Sequence, residues 1–189
     1  MSNFLSDLVE VSGNENATSV DKGLVSDIKG FISTGSYTLN ALLSGSLYGG
    51  IPNNKITALA GEQATGKTFF CFNILKTFLD DNPEGVVLYF DSEQAITSQM
   101  FEERDIDSTR VAVFPVSTIE EFRHQMIQVA DKYRADRDKK PILVILDSLG
   151  NLSTIKEMED TGSGKNVRDR TKAQALKATF RTLTVKCGS

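Results

Sequence analysis

Residues 61 to 68, GEQATGKT, have the types and spacing of a loop that binds a phosphate chain. Gly61 and Gly66 permit backbone angles and close approaches that a side chain would block, so successive N–H groups can point at phosphate oxygens. Lys67 offers a cation to the terminal phosphates, and Thr68 offers a hydroxyl to Mg²⁺. The predicted nucleotide site comprises Gly61, Glu62, Gln63, Ala64, Thr65, Gly66, Lys67, Thr68 and Phe69.

Two apolar runs end in carboxylates that nucleotide chemistry could use. ILVILDS places Asp147 at the end of a predicted strand, where ligands bind in open α/β sheets, and we predict that it faces Mg²⁺ rather than only capping the next element. LYFDSEQAI places Asp91 and Glu93 after another strand, where a carboxylate could orient or deprotonate a water. Spacing alone does not separate Glu93 from Asp91, and an acidic turn without a catalytic role stays open.

The elements that must position these residues follow from the pattern of apolar runs. Short runs rich in β-branched residues recur roughly every 25 to 30 residues, which is typical of βαβ units with strands covered on both faces. They are ITALA (56–60), VVLYF (86–90), VAVF (111–114) and ILVIL (142–146). Apolar residues between them recur at helical spacing. We predict an α/β fold with a mainly parallel sheet covered by helices on both faces, and a helix that starts at Lys67.

The flanks of this pattern predict the domain organisation. Residues 1–30 have too little apolar content for a core and read as a short N-terminal helical extension (Phe4 to Val11) with a linker and a second helical piece at 20–29. Residues 31–189 form the core, which we expect to be C-terminally incomplete because the last helical stripe is not followed by a further strand. No signal peptide or membrane span is predicted, so we expect a cytoplasmic protein with no membrane partner.

The distribution of charge indicates where a partner could bind, and two single residues have predicted surroundings. The formal net charge is −4, yet residues 165 to 186 hold seven Lys and Arg against one Asp, a local charge of +6, so a polyanion contact is expected near this end. Cys71 lies among apolar residues and is predicted to pack as a buried thiol, and His124 is predicted to lie on the wet side of a helix.

Longer stretches carry a family resemblance. The segment ISTGSYTLNALLSGSLYGGIPNNKITALAGEQATGKT, followed by LYFDSEQAIT and ILVILDSLGNL, resembles the RecA family of recombinases. KEMED and TKAQALKATFR make the chain look most like the recombinases of T-even phages, over roughly residues 31–189. The resemblance implies a RecA-like P-loop ATPase core with ATP and Mg²⁺ as cofactors. It also implies that Glu93 acts on the attacking water, that Asp147 is the outer magnesium carboxylate, and that Lys67 and Thr68 keep their phosphate and metal contacts.

The same resemblance implies contacts with DNA. A mobile DNA-contacting loop of the family corresponds to residues 155–172, whose cations Lys165, Arg168, Arg170 and Lys172 could meet phosphates. The implied function is a DNA-dependent ATPase of homologous recombination in a bacterial or phage-infected cell. When full length, it would form filaments on single-stranded DNA and exchange strands with double-stranded DNA. Further parts of the family's machinery would follow Ser189, so we expect ATP binding here even without efficient turnover.

Other functions of a phosphate loop stay open at this point. One is a ring-forming ATPase of the same superfamily, of the helicase or clock type. Another is a small-molecule kinase, whose Arg-rich phosphate-covering lid the clustered Arg168 and Arg170 could mimic, although Glu93 and the ISTGS segment argue against it. A third is a nucleotide-binding module without turnover. A GTPase is disfavoured because no Asn-Lys-x-Asp motif occurs.

Overall fold

The computed structural model describes residues 3–14, 17–24, 26–162 and 171–187. Its helices are α1 (Asn3–Val11), α2 (Tyr37–Ser44), α3 (Lys67–Asp81), α4 (Ser98–Glu102), α5 (Ile119–Ala135), α6 (Ile155–Gly162) and α7 (Thr171–Cys187). Its strands are β1 (Phe31–Ile32), β2 (Ile51–Pro52), β3 (Val86–Asp91), β4 (Val111–Pro115) and β5 (Ile142–Asp147). Short 3₁₀ turns cover Val20–Lys22, Ser108–Arg110 and Leu149–Asn151.

The main sheet has three parallel strands in the order β4-β3-β5. In its register Val87 lies opposite Val111, and Asp91 lies opposite both Pro115 and Asp147. Parallel strands need crossover connections, which α4 supplies with its flanking turns between β3 and β4, and α5 supplies between β4 and β5. The register brings the carboxyl ends of β3 and β5 to the same level of the sheet.

Side chains alternate between the two faces of the central strand, as the period of two in a strand requires. Val87 and Tyr89 pack toward α3, whereas Leu88 and Phe90 pack toward α5 and α7. The core on the α3 side includes Phe72, Leu75, Phe78, Leu79, Leu143 and Ile145. The core on the other side includes Phe122, Met126, Leu152 and Leu183. The predicted α/β fold, with a parallel sheet and helices on both faces, is therefore confirmed.

The predicted strand at residues 56–60 is wrong. This segment has no regular secondary structure, and Ile56 and Leu59 expose 54% and 39% of their surface. A strand needs a neighbour whose backbone groups pair with its own, and in the described ranges no strand is paired with this segment. The apolar run is present, but the phosphate loop follows a segment without regular secondary structure instead of a paired strand.

The ISTGS segment is anchored to α2 and α3. Thr34 is fully buried, and both its backbone N and its Oγ1 donate to Asn40 Oδ1, at 2.9 and 2.8 Å. Thr77 Oγ1 on α3 donates to the carbonyl oxygen of Ser33 at 2.5 Å. The adjoining residues pair as the two-stranded antiparallel sheet of β1 and β2, which was not predicted. These contacts tie the segment before the phosphate loop to the helix that follows it.

The N-terminal helix forms as predicted, but the second predicted piece shrinks to the 3₁₀ turn Val20–Lys22. Helix α1 leaves Phe4, Leu8 and Val11 largely exposed. None of the helices in the described ranges has the length and apolar character needed to cross a bilayer.

Candidate nucleotide-binding site

The phosphate loop lies at the start of α3, which begins at Lys67 as predicted. Ala64 and Gly66 both have positive φ, and Gly66 is the residue that precedes the helix. Thr65 Oγ1 closes the loop by donating to the carbonyl oxygen of Glu62 at 2.8 Å. The first N–H groups of a helix have no partner within it, so they and the positive end of the helix dipole are directed at this loop.

Lys67 lies across the same loop. Its Nζ donates to the carbonyl oxygens of Gly61 and Glu62, at 2.9 and 2.7 Å. Both acceptors are neutral, and a charged phosphate oxygen is a stronger acceptor for an ammonium group. The side chain is therefore held beside the loop by bonds that a phosphate could replace.

The carboxylate of Asp147 lies against the loop from the end of β5. Thr68 Oγ1 donates to Asp147 Oδ2 at 2.6 Å, although the two residues are 79 positions apart in the chain. The structure thus brings together the two residues predicted to hold Mg²⁺. Their hydroxyl and carboxylate oxygens are donors that this hard cation accepts, and Mg²⁺ usually takes further oxygens from phosphate and water.

A protein-only metal cage would need more ligands than this. Within the described part of the chain, no group of three or more His, Cys, Asp or Glu residues could hold a metal ion. The donor set formed by Thr68 and Asp147 therefore fits a cation that arrives with a phosphate chain.

Asp91 and Glu93 have different surroundings. Asp91 is buried, and its Oδ1 and Oδ2 accept hydrogen bonds from the backbone N of Glu93 and of Ile96, at 3.0 and 3.1 Å. The carboxylate of Glu93 is exposed, and its Oε1 accepts a 3.1 Å hydrogen bond from Ser148 Oγ. Asp91 thus holds the turn after β3, whereas Glu93 remains accessible at the carboxyl ends of the strands.

Two serines join the ends of β3 and β5. Ser148 N donates to Ser92 Oγ at 2.8 Å, and Ser92 Oγ donates to the Ser148 carbonyl oxygen at 2.7 Å. Ser92 N also donates to the carbonyl oxygen of Asp147 at 2.9 Å. Because Ser148 contacts Glu93 as well, this pair sets the distance between the turn that carries Glu93 and the strand that carries Asp147. No role was predicted for either serine from the sequence.

Tyr89 is a further residue of the site that was not predicted from the sequence. It is fully buried on β3, and its hydroxyl donates to Asp147 Oδ2 at 2.8 Å. Burial, and next the hydrogen bond to Asp147, raise the pKa of this phenol above its usual value, so it stays a protonated donor. Strand alternation, which the sequence does contain, puts Ile145 and Asp147 on one face of β5. The parallel register of the structure adds Tyr89 to that face.

Cys71 lies near the same carboxylate on α3. Burial raises the pKa of its thiol to about 12, and the negative charge of Asp147 adds to the shift. The side chain is half-buried against the core on the α3 side. Cys71 therefore packs among apolar residues as predicted, but it is half-buried rather than fully buried. His124 is exposed on α5, also as predicted.

The four predicted DNA-binding cations are only partly covered by the structure. Lys165, Arg168 and Arg170 lie outside the described residues. Lys172, at the start of α7, donates from Nζ to the carbonyl oxygen of Gly150 at 3.0 Å. Gly150 belongs to the 3₁₀ turn that follows Asp147 and Ser148, so Lys172 connects α7 to the segment after β5.

Comparison with known proteins identifies the family, which the geometry of the site alone does not. No family model matches the chain. It is 31% identical over 184 residues, 97% of its length, to a recombination and repair protein of Enterobacteria phage T4, of which the match covers 46%. It is 30% identical over 129 residues, 68% of its length, to the DNA repair and recombination protein RadB of Thermoplasma acidophilum, of which the match covers 53%. The chain spans about half the length of these curated relatives. Together with the α/β fold, these similarities confirm the resemblance described above: the chain belongs to the RecA family.

Proposed function

We propose that this chain is the ATP-binding core of a DNA-dependent ATPase that acts in homologous recombination and repair. The observation that carries the proposal is the hydrogen bond from Thr68 Oγ1 to Asp147 Oδ2, which joins the phosphate loop to the carboxylate at the end of β5. Both relatives, one a recombination and repair protein and the other a DNA repair and recombination protein, support a role in DNA recombination and repair. The site of action would be the cytoplasm of a bacterial or phage-infected cell.

ATP would be bound chiefly through its phosphates by residues 61–69. The N–H groups of the loop and of the start of α3 are suited to phosphate oxygens, because the first N–H groups of a helix have no partner within it and carry partial positive charge. Lys67 would exchange two neutral carbonyl acceptors for charged phosphate oxygens. Neither contact distinguishes adenine from another base, so base selectivity lies elsewhere in the site.

Thr68 and Asp147 would hold the Mg²⁺ that accompanies the nucleotide. When bound, Mg²⁺ neutralises charge that develops on the phosphate oxygens during transfer. The protein's own contribution is to hold two oxygen donors together at one end of the sheet, with Thr68 at the start of α3 and Asp147 at the end of β5. The short hydrogen bond between them keeps both side chains aimed at the same place.

Glu93 would orient the attacking water and accept its proton. Its carboxylate is exposed at the carboxyl ends of the strands, and Ser148 Oγ holds one of its oxygens. Asp91 is unsuited to this role because backbone N–H groups engage both of its oxygens. General-base catalysis typically contributes about 10²- to 10⁴-fold, so removal of the Glu93 carboxylate should lower turnover by at least about a hundredfold.

Single-stranded and double-stranded DNA are the proposed partners, with self-association into a filament by the whole protein. The charge of +6 over residues 165–186, set against −4 for the whole chain, gives this end the sign that a phosphate backbone attracts. Lys165, Arg168, Arg170 and Lys172 are the cations proposed to contact DNA. Head-to-tail contacts that do not close on themselves generate open helical filaments, which electron microscopy with ATP and DNA distinguishes from closed rings.

The test is release of inorganic phosphate from ATP, with and without single-stranded DNA, by the whole protein that carries this sequence. We expect DNA to stimulate hydrolysis. We expect Lys67→Ala to abolish nucleotide binding or hydrolysis, and Glu93→Gln to keep binding while hydrolysis falls at least about a hundredfold. Lys132→Ala and Glu102→Gln, which change exposed residues on α5 and α4, are the matched controls. An equal rate of hydrolysis with and without single-stranded DNA would contradict the recombination proposal. Full activity of Glu93→Gln would show that Glu93 is not part of the mechanism.

A further inference from the structure

Tyr89 has a polar atom where the α3 side of the core meets the proposed metal site. The side chain is fully buried, and its ring lies 5.9 Å from the ring of Phe72. The hydroxyl donates to Asp147 Oδ2 at 2.8 Å. The ring accounts for packing that phenylalanine could supply equally well, whereas the hydroxyl donates to Asp147 in the part of the chain that the structure describes.

The same oxygen of Asp147 receives two hydroxyl hydrogen bonds. Thr68 Oγ1 approaches it from α3 at 2.6 Å, and Tyr89 approaches it from the neighbouring strand. Thr68 Oγ1 is also a proposed ligand of the cation, so it would contact both the carboxylate and the metal. Tyr89 is buried on the central strand, and its one hydroxyl proton is donated to the same carboxylate oxygen.

We propose that Tyr89 is a positioning residue, which fixes the carboxylate of Asp147 for Mg²⁺ and so strengthens the binding of Mg²⁺ with the nucleotide. This inference rests on the proposed function. Groups that hydrogen-bond a metal-binding side chain orient it and limit its rotation, and their loss typically weakens metal binding about 10- to 100-fold. Tyr89 acts through Asp147, so its effect must depend on Mg²⁺ and on the presence of the Asp147 carboxylate.

The experiment is a Mg²⁺ titration of the binding of a fluorescent ATP analogue to the wild-type protein and to Tyr89→Phe. We expect the Mg²⁺ concentration at half-saturation to rise about tenfold in Tyr89→Phe. Binding of the same analogue in EDTA should not change, because the phosphate loop is untouched. Tyr133→Phe, which removes the hydroxyl of a half-buried tyrosine on α5, is the matched control and should behave as wild type.

A second variant tests the route of the effect. In an Asp147→Ala background the acceptor is gone, so Tyr89→Phe should cause no further change in the Mg²⁺ dependence. A wild-type Mg²⁺ curve for Tyr89→Phe overturns the inference and leaves the proposed function standing. An equal loss of binding in EDTA overturns it too, because it would show a purely structural role. A wild-type protein that binds no nucleotide overturns both proposals.

Discussion

Asp91 and Glu93 lie two residues apart after β3, and the structure predicts opposite results when each is changed. Asp91→Ala removes a buried carboxylate that accepts two backbone hydrogen bonds, from Glu93 N and Ile96 N. Hydrogen bonds to charged groups contribute about 1.5 to 3 kcal/mol each, and the turn can relax partly toward water after the loss. We therefore expect the free energy of unfolding to fall by about 3 kcal/mol. For a chain of this size that corresponds to a melting temperature lower by about 6 to 12 °C.

Glu93→Gln should instead leave stability within about 0.5 kcal/mol of wild type, because the side chain is exposed and glutamine keeps an oxygen for Ser148. Its defect should lie in ATP hydrolysis. Asp91→Ala should retain nucleotide binding and lose part of the hydrolysis, since the turn that carries Glu93 is loosened. Thermal and urea unfolding, nucleotide binding and phosphate release on the same preparations separate these outcomes. Asp138→Ala, at an exposed position, is the control for loss of an aspartate.

Two results would refute this division of roles. One is an Asp91→Ala variant with wild-type stability, which would mean that the two backbone hydrogen bonds contribute nothing net. The other is a Glu93→Gln variant that loses as much stability as Asp91→Ala, which would mean that the exposed carboxylate is structural.

Two further predictions concern the packing around the site. Gly50 has a φ of 136°, and a Cβ there would lie 2.1 Å from the carbonyl oxygen of Ile32. We expect Gly50→Ala to lower the free energy of unfolding by about 2 kcal/mol or more, and Gly150→Ala, where a Cβ meets nothing within 4 Å, to be nearly neutral in the same urea titration. Because the pKa of the Cys71 thiol is raised to about 12, it should stay neutral at pH 8. Its alkylation by iodoacetamide, followed by mass spectrometry of the Cys71 peptide, should be at least about a hundredfold slower in the folded protein than in urea, and equal rates would contradict the raised pKa of this half-buried thiol.

The parts of the fold that the sequence predicted well are those with a local signal. The runs at 86–90, 111–114 and 142–146 became β3, β4 and β5 with boundaries shifted by at most one residue. The start of α3 at Lys67 also follows from local chemistry, because glycine before the helix permits the positive φ that Gly66 adopts. In these places the propensity of each segment agrees with its tertiary surroundings. Hydrophobic periodicity and turn residues were therefore sufficient to predict these strands and the start of the helix.

The run at 56–60 shows why the same reasoning fails elsewhere. Its composition favours a strand, but a strand is a property of two segments, and β-propensity reports how well a residue suits a sheet that already exists. Residues 31–32 and 51–52 show the converse, since they pair as β1 and β2 although neither segment is long enough to give a periodic signal. Both errors concern pairing with a distant part of the chain, which a reading of local runs does not contain.

In the candidate site, too, the residues with a local sequence signal were predicted, and the features that depend on distant contacts were not. Residue types and spacing led to Lys67, Thr68 and Asp147, because each follows or ends a recognisable run. The choice between Asp91 and Glu93 came only from the family resemblance, since sequence spacing does not reveal which carboxylate the backbone of the turn engages. The hydrogen bonds to Asp91 supply a physical reason for the proposed roles that is independent of the resemblance.

The register of the sheet is what turns these separate residues into one site. The contacts that build it join Thr68 to Asp147, Tyr89 to Asp147, and Glu93 to Ser148, across 79, 58 and 55 positions of the chain. The contacts of Tyr89 and Glu93 depend on Asp91 lying opposite Asp147 in the parallel pairing of β3 and β5. Side chains alternate along a strand, so a slip of one residue would turn Asp147 away from α3 and put an apolar or hydroxyl side chain in its place. The packing of Leu143 and Ile145 against the core on the α3 side opposes that slip. The same apolar residues that stabilise the sheet therefore fix which face of it carries the carboxylate.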